Sequence, residues 1–516
     1  MATYRSPSAG ITVGDLIYQA FTTAHDKPAF VMDDRTLSYA ESARIVFSLA
    51  RALRDLGIGP GDGVALLMPN KPETYLLRAA IKLINGRYTP LNALSKPSEW
   101  SYVLDDSEVK LFVHDPTLTN VGPDFLDSVT TPLVRQACGA APDDLLRVAE
   151  GCDGTPFRAV GDEEDIYGLI YTGGTTGRPK GVMIPHRARV QQVMMKLSEY
   201  ALHADTRILL SAPISHGAGS LILPTLLRGG TVHLMEKFNP AKFIEIVETQ
   251  RINTGWGVPT MVSALVNCPE IRTADVSSLQ TFIYSGAPIT PTLLAEAMKV
   301  FGPIFIQHYG QTEAPGIVSV LGKKDHDLAR PELLSSCGRP VPGNSVSIRN
   351  DDDEEVPTNE MGEICVRGRL VSAGYWKKEE QTKETYRAGW LRTGDIGRID
   401  PEGYLYITDR KKDMIISGGF NVYPREVEDA VARHPSVKTC AVVGLPDPHW
   451  GEVVTALVVV RDGEERDETE LTRFLKDSLG SVKSPKKICF ATELPTTPNG
   501  KVDKVTVRQR LAAELG

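Results

Sequence analysis

Apolar residues recur along this chain at two alternating periods. Between Ser38 and Ile58 the apolar positions Ile45, Leu49, Leu53 and Leu56 share one helical face, and Gly57 stands where that face ends. The next run, "GVALLMP", is short and unbroken, as in a buried strand. A helical pattern returns over "ETYLLRAAIKLING", with Gly86 beyond its end, and a strand pattern over "KLFVHD". This alternation predicts an α/β architecture with largely parallel sheets.

The rhythm continues downstream. "TRILLSAP", "GTVHLME", "LQTFIYSGAP" and "PIFIQHYGQTE" read as strands, and "PAKFIEIVETQRI" and "TPTLLAEAMKVFG" as helices. Several strands run into polar, glycine-containing loops at their carboxyl ends, the edge where open α/β sheets bind ligands. After about Val341 short strands alternate with turns ("SVSIRND", "EICVRG", "GYLYIT"), so a smaller β-rich piece is expected, and the acidic run Asp351 to Glu355 reads as a solvated turn. A boundary is placed at Asp409. Residues 1–408 are expected to form a large N-terminal domain of α/β subdomains plus the β-rich piece, and residues 409–516 a small α+β domain.

Composition narrows the function classes. A chain of 516 residues is too long for one core. With 57 Lys and Arg against 65 Asp and Glu, the net charge is −8, which disfavours a nucleic-acid partner. "MATYRSPSAGITVGDL" lacks the apolar core of a signal peptide, no run is long enough to span a bilayer, and "RQRLAAELG" carries no lipidation or peroxisomal signal; a cytoplasmic location is expected. The seven cysteines are odd in number and show no C-x-x-C, and the ten histidines show no metal-ligand spacing.

"YTGGTTGRPKG", Tyr171 to Gly181, stands out from this background. Gly173, Gly174 and Gly177 free the backbone to turn N–H groups toward an anion, Thr172, Thr175 and Thr176 add hydroxyls, and Lys180 adds charge. "IYGLIYT" before it and "GVMIPH" after it both read as strands, with a helix only from about Val190. A Walker A loop runs from strand to helix and ends G-K-[ST], so that class is disfavoured.

The stretch resembles the phosphate loop of the adenylate-forming enzymes, which include acyl-CoA synthetases, nonribosomal adenylation domains and firefly luciferase. The family usually has Ser where Gly173 stands. Further segments resemble that family's motifs in order: "SGAP" (Ser285, Gly286, Ala287, Pro288), "YGQTEA" (Tyr309 to Ala314), "RTGD" (Arg392 to Asp395), "DRKKDMIISGGFNVYPREVE" (Asp409 to Glu428) and "PNGKVDK". The resemblance implies that "SGAP" contacts adenine and Tyr309 stacks on it. It implies that Thr312 approaches the α-phosphate, Glu313 with Thr176 holds Mg²⁺, and Asp395 accepts the ribose hydroxyls. Arg410 would reach the ribose or phosphate, Lys412 would be the hinge, and Gly418 and Gly419 would line a thiol tunnel. Lys501 would be the catalytic lysine, with Lys504 the second candidate, on a small domain that swings between half-reactions.

By the same resemblance the acid pocket uses His216, Gly217, Gly257, Val258, Ser285, Gly310, Ala314 and Pro315, with His216 either gating the pocket or bonded within its loop. No aspartate matches the one that amino-acid-activating domains use, which points to a fatty or aryl acid. Gly217, Ala218, Gly219 and Gly257 suggest room for a bulky chain. The implied reaction uses ATP, Mg²⁺ and coenzyme A; a carrier protein, an amine or nitrite remain alternative acceptors, and the oligomer is left as monomer or homodimer. A nucleotide-binding regulator and a phosphate-releasing ATPase are the rivals from other classes.

Overall fold

The computed structural model describes residues 10–515 apart from 24–25, 119–120, 123–124, 126, 140–143, 173–177, 449 and 498–499. The helix Tyr39–Asp55 shows how the sequence sets its elements. Ser38 caps it, accepting from the Glu41 backbone N–H while the Glu41 carboxylate accepts from the Ser38 N–H at 2.8 Å. Leu49 and Leu53 are buried with Val46, Phe47 and Ala50, whereas Ile45 and Leu56 lie at the margin of that face. Gly57 leaves the helix at φ +76°.

Among the described residues the strands form four sheets. In a six-stranded sheet, parallel neighbours end in one antiparallel pair, Ile166–Thr172 against Lys180–Pro185, and the helix His186–Glu199 follows directly. The stretch from Tyr171 to Gly181 therefore joins two strands, as its flanking patterns predict. A nine-stranded sheet carries the parallel neighbours Arg207–Leu210, Thr254–Gly257, Thr281–Ser285 and Phe305–Tyr309. The β-rich piece is a five-stranded antiparallel sheet.

That sheet ends with the strand Leu405–Arg410; a single 3-10 turn, Lys411–Asp413, follows, and Ile415–Ser417 already belongs to the fourth sheet. The Asp409 carboxylate ties the two pieces, accepting from the Arg410 N–H at 2.7 Å and the Arg425 N–H at 2.8 Å. Further on, Arg461 meets Glu296 at 3.2 Å and Thr260 Oγ1 donates to the Gly500 carbonyl at 3.0 Å, so the C-terminal residues close over the nine-stranded sheet. The acidic run is not simply solvated: Asp351 pairs with Lys411 and Asp353 with the buried Arg392. All seven cysteines are free thiols, and no helix among the described residues is long and apolar enough to cross a membrane.

Candidate active site

Register brings three loops to one edge. Gly257 pairs with Tyr284, and Ser285 with His308, so neighbouring parallel strands end nearly level. Val258, Gly286 and Gly310 follow at their carboxyl ends. Tyr309 is buried there, and its phenol donates to Asp395 Oδ2 at 2.6 Å. Asp395, itself buried, takes Arg410 Nε on Oδ1 at 3.1 Å. Burial and then the Asp395 charge push the Tyr309 phenol well above its usual range, which keeps it a donor. One carboxylate thus gathers the sheet edge, the "RTGD" strand and the last residue before the domain junction.

Glu313 is held in the same way. Tyr375 donates to its Oε1 at 2.8 Å, and the Lys180 ammonium lies 5.3 Å from the Tyr375 ring centroid. Tyr375 is fixed in turn: it bridges Val182 across the strand Lys180–Pro185, and its N–H donates to Thr382 Oγ1 at 3.0 Å. Sequence reasoning missed Tyr375, because a lone aromatic beside strands reads as core. Thr172 pairs with Lys180 at the base of the phosphate-loop candidate; Gly173, Gly174, Thr175, Thr176 and Gly177 lie outside the described residues. A carboxylate oxygen is the ligand a hard divalent cation takes, so Glu313 fits Mg²⁺. No group of three or more His, Cys, Asp or Glu among the described residues forms a complete metal cage.

Lys501 arrives from the C-terminal piece. Gly500 turns at φ +76° beside Val258 and Thr260, and a Cβ on Gly286 would stand 3.4 Å from Lys501 Cε and 3.8 Å from its Nζ. Although its side chain still reaches solvent, crowding in the cleft and the Arg410 charge lower the Lys501 pKa, with Asp395 acting the other way. His216 shares a hydrogen bond with Ser215 Oγ at 2.8 Å; burial and then Lys501 push its pKa down to about 4, so the imidazole is neutral at pH 7. Lys504 instead pairs with Glu428 inside the C-terminal piece at 2.9 Å, which sets it apart from the site.

Lys412 is exposed in the 3-10 turn, near enough to Arg410 and Asp395 to feel their charges. Gly418 and Gly419 form the two-residue tip of the hairpin Ile415–Val422, at φ +58° and +81°. The first packs on Trp450 and the second faces open space. Ala314 and Pro315 are buried behind Glu313, and Ser285, Ala287 and Pro288 flank Gly286. The room expected around the small pocket residues is not found on their side-chain sides. A Cβ would stand 1.8 Å from the Ile214 carbonyl at Gly219, 3.3 Å from Trp256 at Gly217 and 3.2 Å from Phe282 at Gly257, and Ala218 is fully buried. These positions are small because backbone and aromatic rings approach closely.

The sequence matches the AMP-binding enzyme family over residues 17–376 and its C-terminal domain over residues 426–501. The chain belongs to the AMP-binding enzyme family. A medium/long-chain-fatty-acid–CoA ligase of Mycobacterium tuberculosis is 39% identical, over 98% of this chain and 90% of that protein. A feruloyl-CoA synthase of an Amycolatopsis species is 40% identical, over 92% of this chain and 94% of its own length. The solved amide bond synthetase McbA of Marinactinospora thermotolerans superposes with a TM-score of 0.88 at 34% identity, covering 96% of this chain and 99% of that one. As an AMP-binding enzyme, the chain is a mixed α/β protein whose large and small pieces match the two parts of the family.

Proposed function

We propose that this AMP-binding enzyme activates a fatty or aryl carboxylic acid with ATP and passes the acyl group to coenzyme A. The observation that carries the proposal is the approach of Lys501 to Gly286, beside the Tyr309–Asp395–Arg410 cluster. In the first half-reaction an acid oxygen bonds to the α-phosphorus of ATP, the bond from that phosphorus to the β-phosphate bridge breaks, and pyrophosphate leaves. Lys501 and Lys180 offset the negative charge where two anions meet, and Asp395 with Tyr309 orients the nucleoside. Glu313, with Thr176 and Thr312 near the phosphates, would hold Mg²⁺, whose role is to neutralise phosphate charge. In the second half-reaction the thiol loses its proton, its sulfur bonds to the acyl carbon, the bond from that carbon to the phosphate oxygen breaks, and AMP departs.

Residues 409–516 then act as the mobile domain, with Lys412 at the hinge. An arrangement with Lys501 inside and the Gly418–Gly419 tip outside corresponds to the first half-reaction. We assign the reaction to the cytoplasm, with no nucleic-acid partner. Likeness to an amide bond synthetase supports a second reading in which an amine takes the acyl group; a carrier-protein thiol is a third acceptor of the same chemistry.

An acid panel assayed for pyrophosphate, with and without coenzyme A, tests the proposal. Acid-dependent pyrophosphate and CoA-dependent thioester are expected, whereas orthophosphate, or release indifferent to acid, would overturn it. Lys501→Ala should lose acid-dependent pyrophosphate release by about 10²-fold or more, as about 3 kcal/mol of transition-state stabilisation requires. It should retain thioester formation from supplied acyl-AMP; equal loss of both steps would remove Lys501 from the role.

A further inference from the structure

Behind the pocket loop 215–220 lie three cations that the mechanism does not use. Arg78, on the helix Pro72–Leu83, donates to the Gly219 carbonyl at 3.1 Å and lies over the Tyr75 and Tyr88 rings, 5.1 and 5.8 Å from their centroids. Lys196, on the helix His186–Glu199, is 1% exposed and bonds only the Ser220 hydroxyl among the described residues, and that hydroxyl in turn bonds the Gly217 carbonyl. Arg189, seven residues earlier on the same helix face, donates to Gln192 at 2.7 Å, and the Gln192 amide packs beneath Gly316 of the loop that follows Glu313.

No ion pair reaches Arg78, Arg189 or Lys196 among the described residues. Lys82, close by, differs: its ammonium is satisfied by the Gly86 and Tyr167 carbonyls. Buried cations without a counter-charge are costly, and proteins normally pair them. Two further donors are left over, the Arg189 Nε and the indole Nε1 of Trp256, a residue that is 5% exposed and packs against Gly217. Arg78 and Arg189 are half-buried, and Arg189 also lies 5.2 Å from the Tyr167 ring centroid, so an aromatic face, not a carboxylate, is what each guanidinium meets. Lys196 has a strongly depressed pKa, from burial and then from Arg189 and Arg78, which an arriving anion would reverse.

We infer that the inner end of the acid pocket is a subsite for a second anionic group, a carboxylate carried by one of the reacting small molecules and held by Arg78, Arg189 and Lys196. The inference rests on the acid-activating reading above. The carboxylate belongs either to the acid being activated or to the molecule that accepts the acyl group. Both sources offer the same chemistry, a planar anion that two guanidinium groups and an ammonium can share.

The experiment compares octanoic with octanedioic acid, and benzoic with benzene-1,3-dicarboxylic acid, by acid-dependent pyrophosphate release. In a second arm, aniline and 3-aminobenzoate compete as acceptors of an activated monocarboxylic acid. The expected result is at least a tenfold preference in kcat/KM for the molecule with the extra carboxylate in one arm. Lys196→Met and Arg78→Met should each cut that preference at least tenfold, and the arm that responds identifies the source. Lys196→Met should also melt at a higher temperature than the parent, since a buried amine that lacks a counter-charge gives way to an apolar side chain of similar length. If Lys196→Met does not fold, Arg78→Gln and the parent's own preferences decide. No carboxylate preference in either arm, or losses proportionate across all substrates, would overturn the inference while leaving acid activation intact. Absence of pyrophosphate with every acid would instead overturn the reading on which it rests.

Discussion

Tyr375 holds Glu313 through one phenolic hydrogen bond, and a bond to a charged partner contributes about 1.5–3 kcal/mol. Tyr375→Phe keeps the ring beneath Lys180 and removes only the hydroxyl. A ten- to hundredfold loss of the pyrophosphate-forming step is expected, together with a raised Mg²⁺ requirement. Titrating Mg²⁺ in the assay, and measuring by calorimetry how far Mg²⁺ strengthens binding of a non-hydrolysable ATP analogue, checks it; an unchanged metal requirement would mean that Tyr375 only packs. Lys501 sets a second expectation. Its ammonium must be protonated to offset phosphate charge, and its pKa is lowered, so the first half-reaction should fall along an alkaline limb below the ordinary lysine value of 10.5. That limb should vanish from the residual activity of Lys501→Ala. Asp395, Glu313 and Lys501 could be nominated from the sequence because each stands in a run that resembles a motif of the family. Tyr375, Arg78 and Lys196 could not, because only folding brings Tyr375 to Glu313 and gathers the buried cations near one another.

The two strands that flank residue 175 could be read from their apolar runs, and the helix that follows the second starts at His186. The passage from Asp409 to Val431 could not. Its charges and glycines look like a linker, yet it resolves into a 3-10 turn, a tight hairpin and the helix Pro424–Val431. Two positive-φ residues at the tip explain the paired glycines, and only contact with the neighbouring sheet makes so short a hairpin stable. The two differ in consequence. A Cβ on Gly418 would press within 2.9 Å of the Trp450 ring, whereas one on Gly419 meets nothing within 4 Å. Gly419→Ala should therefore cost only the left-handed backbone term, about 1–2 kcal/mol, and Gly418→Ala should cost more and displace Trp450. If the tip serves thiol attack, single-turnover assays will show Gly418→Ala slowing thioester formation while acid-dependent pyrophosphate release persists. Equal effects on both steps would remove the hairpin from the second half-reaction.

Across the whole molecule the alternation of periods along the chain foretold the parallel sheets, because buried strands and amphipathic helices each carry their own period. How the two pieces sit together was not legible, since that depends on contacts such as Arg461–Glu296 and Thr260–Gly500 between residues far apart in the chain. Folding also buries histidines, and this makes stability depend on pH. His216, His233 and His326 have pKa values pushed down to about 4, and His308 to about 3, in each case chiefly by burial. At His326 burial outweighs the Gly322 carbonyl, which faces one ring nitrogen at 2.8 Å and favours the charged ring, while the other nitrogen meets the Tyr284 phenol at 3.0 Å. Between pH 6.5 and about 4 the unfolded chain takes up protons that the folded one refuses, so stability is complete above 6.5 and falls as the pH drops through that window. For His326 alone the loss approaches about 3 kcal/mol. Asp409 and Asp429, whose pKa values burial raises, act with the opposite sign and soften the slope. The melting temperature should therefore decline steadily from about pH 7 to about pH 4.5. His326→Gln, which keeps a donor and an acceptor but does not titrate, should flatten that decline; a slope unaltered by the substitution would show that His326 already carries its proton in the folded enzyme.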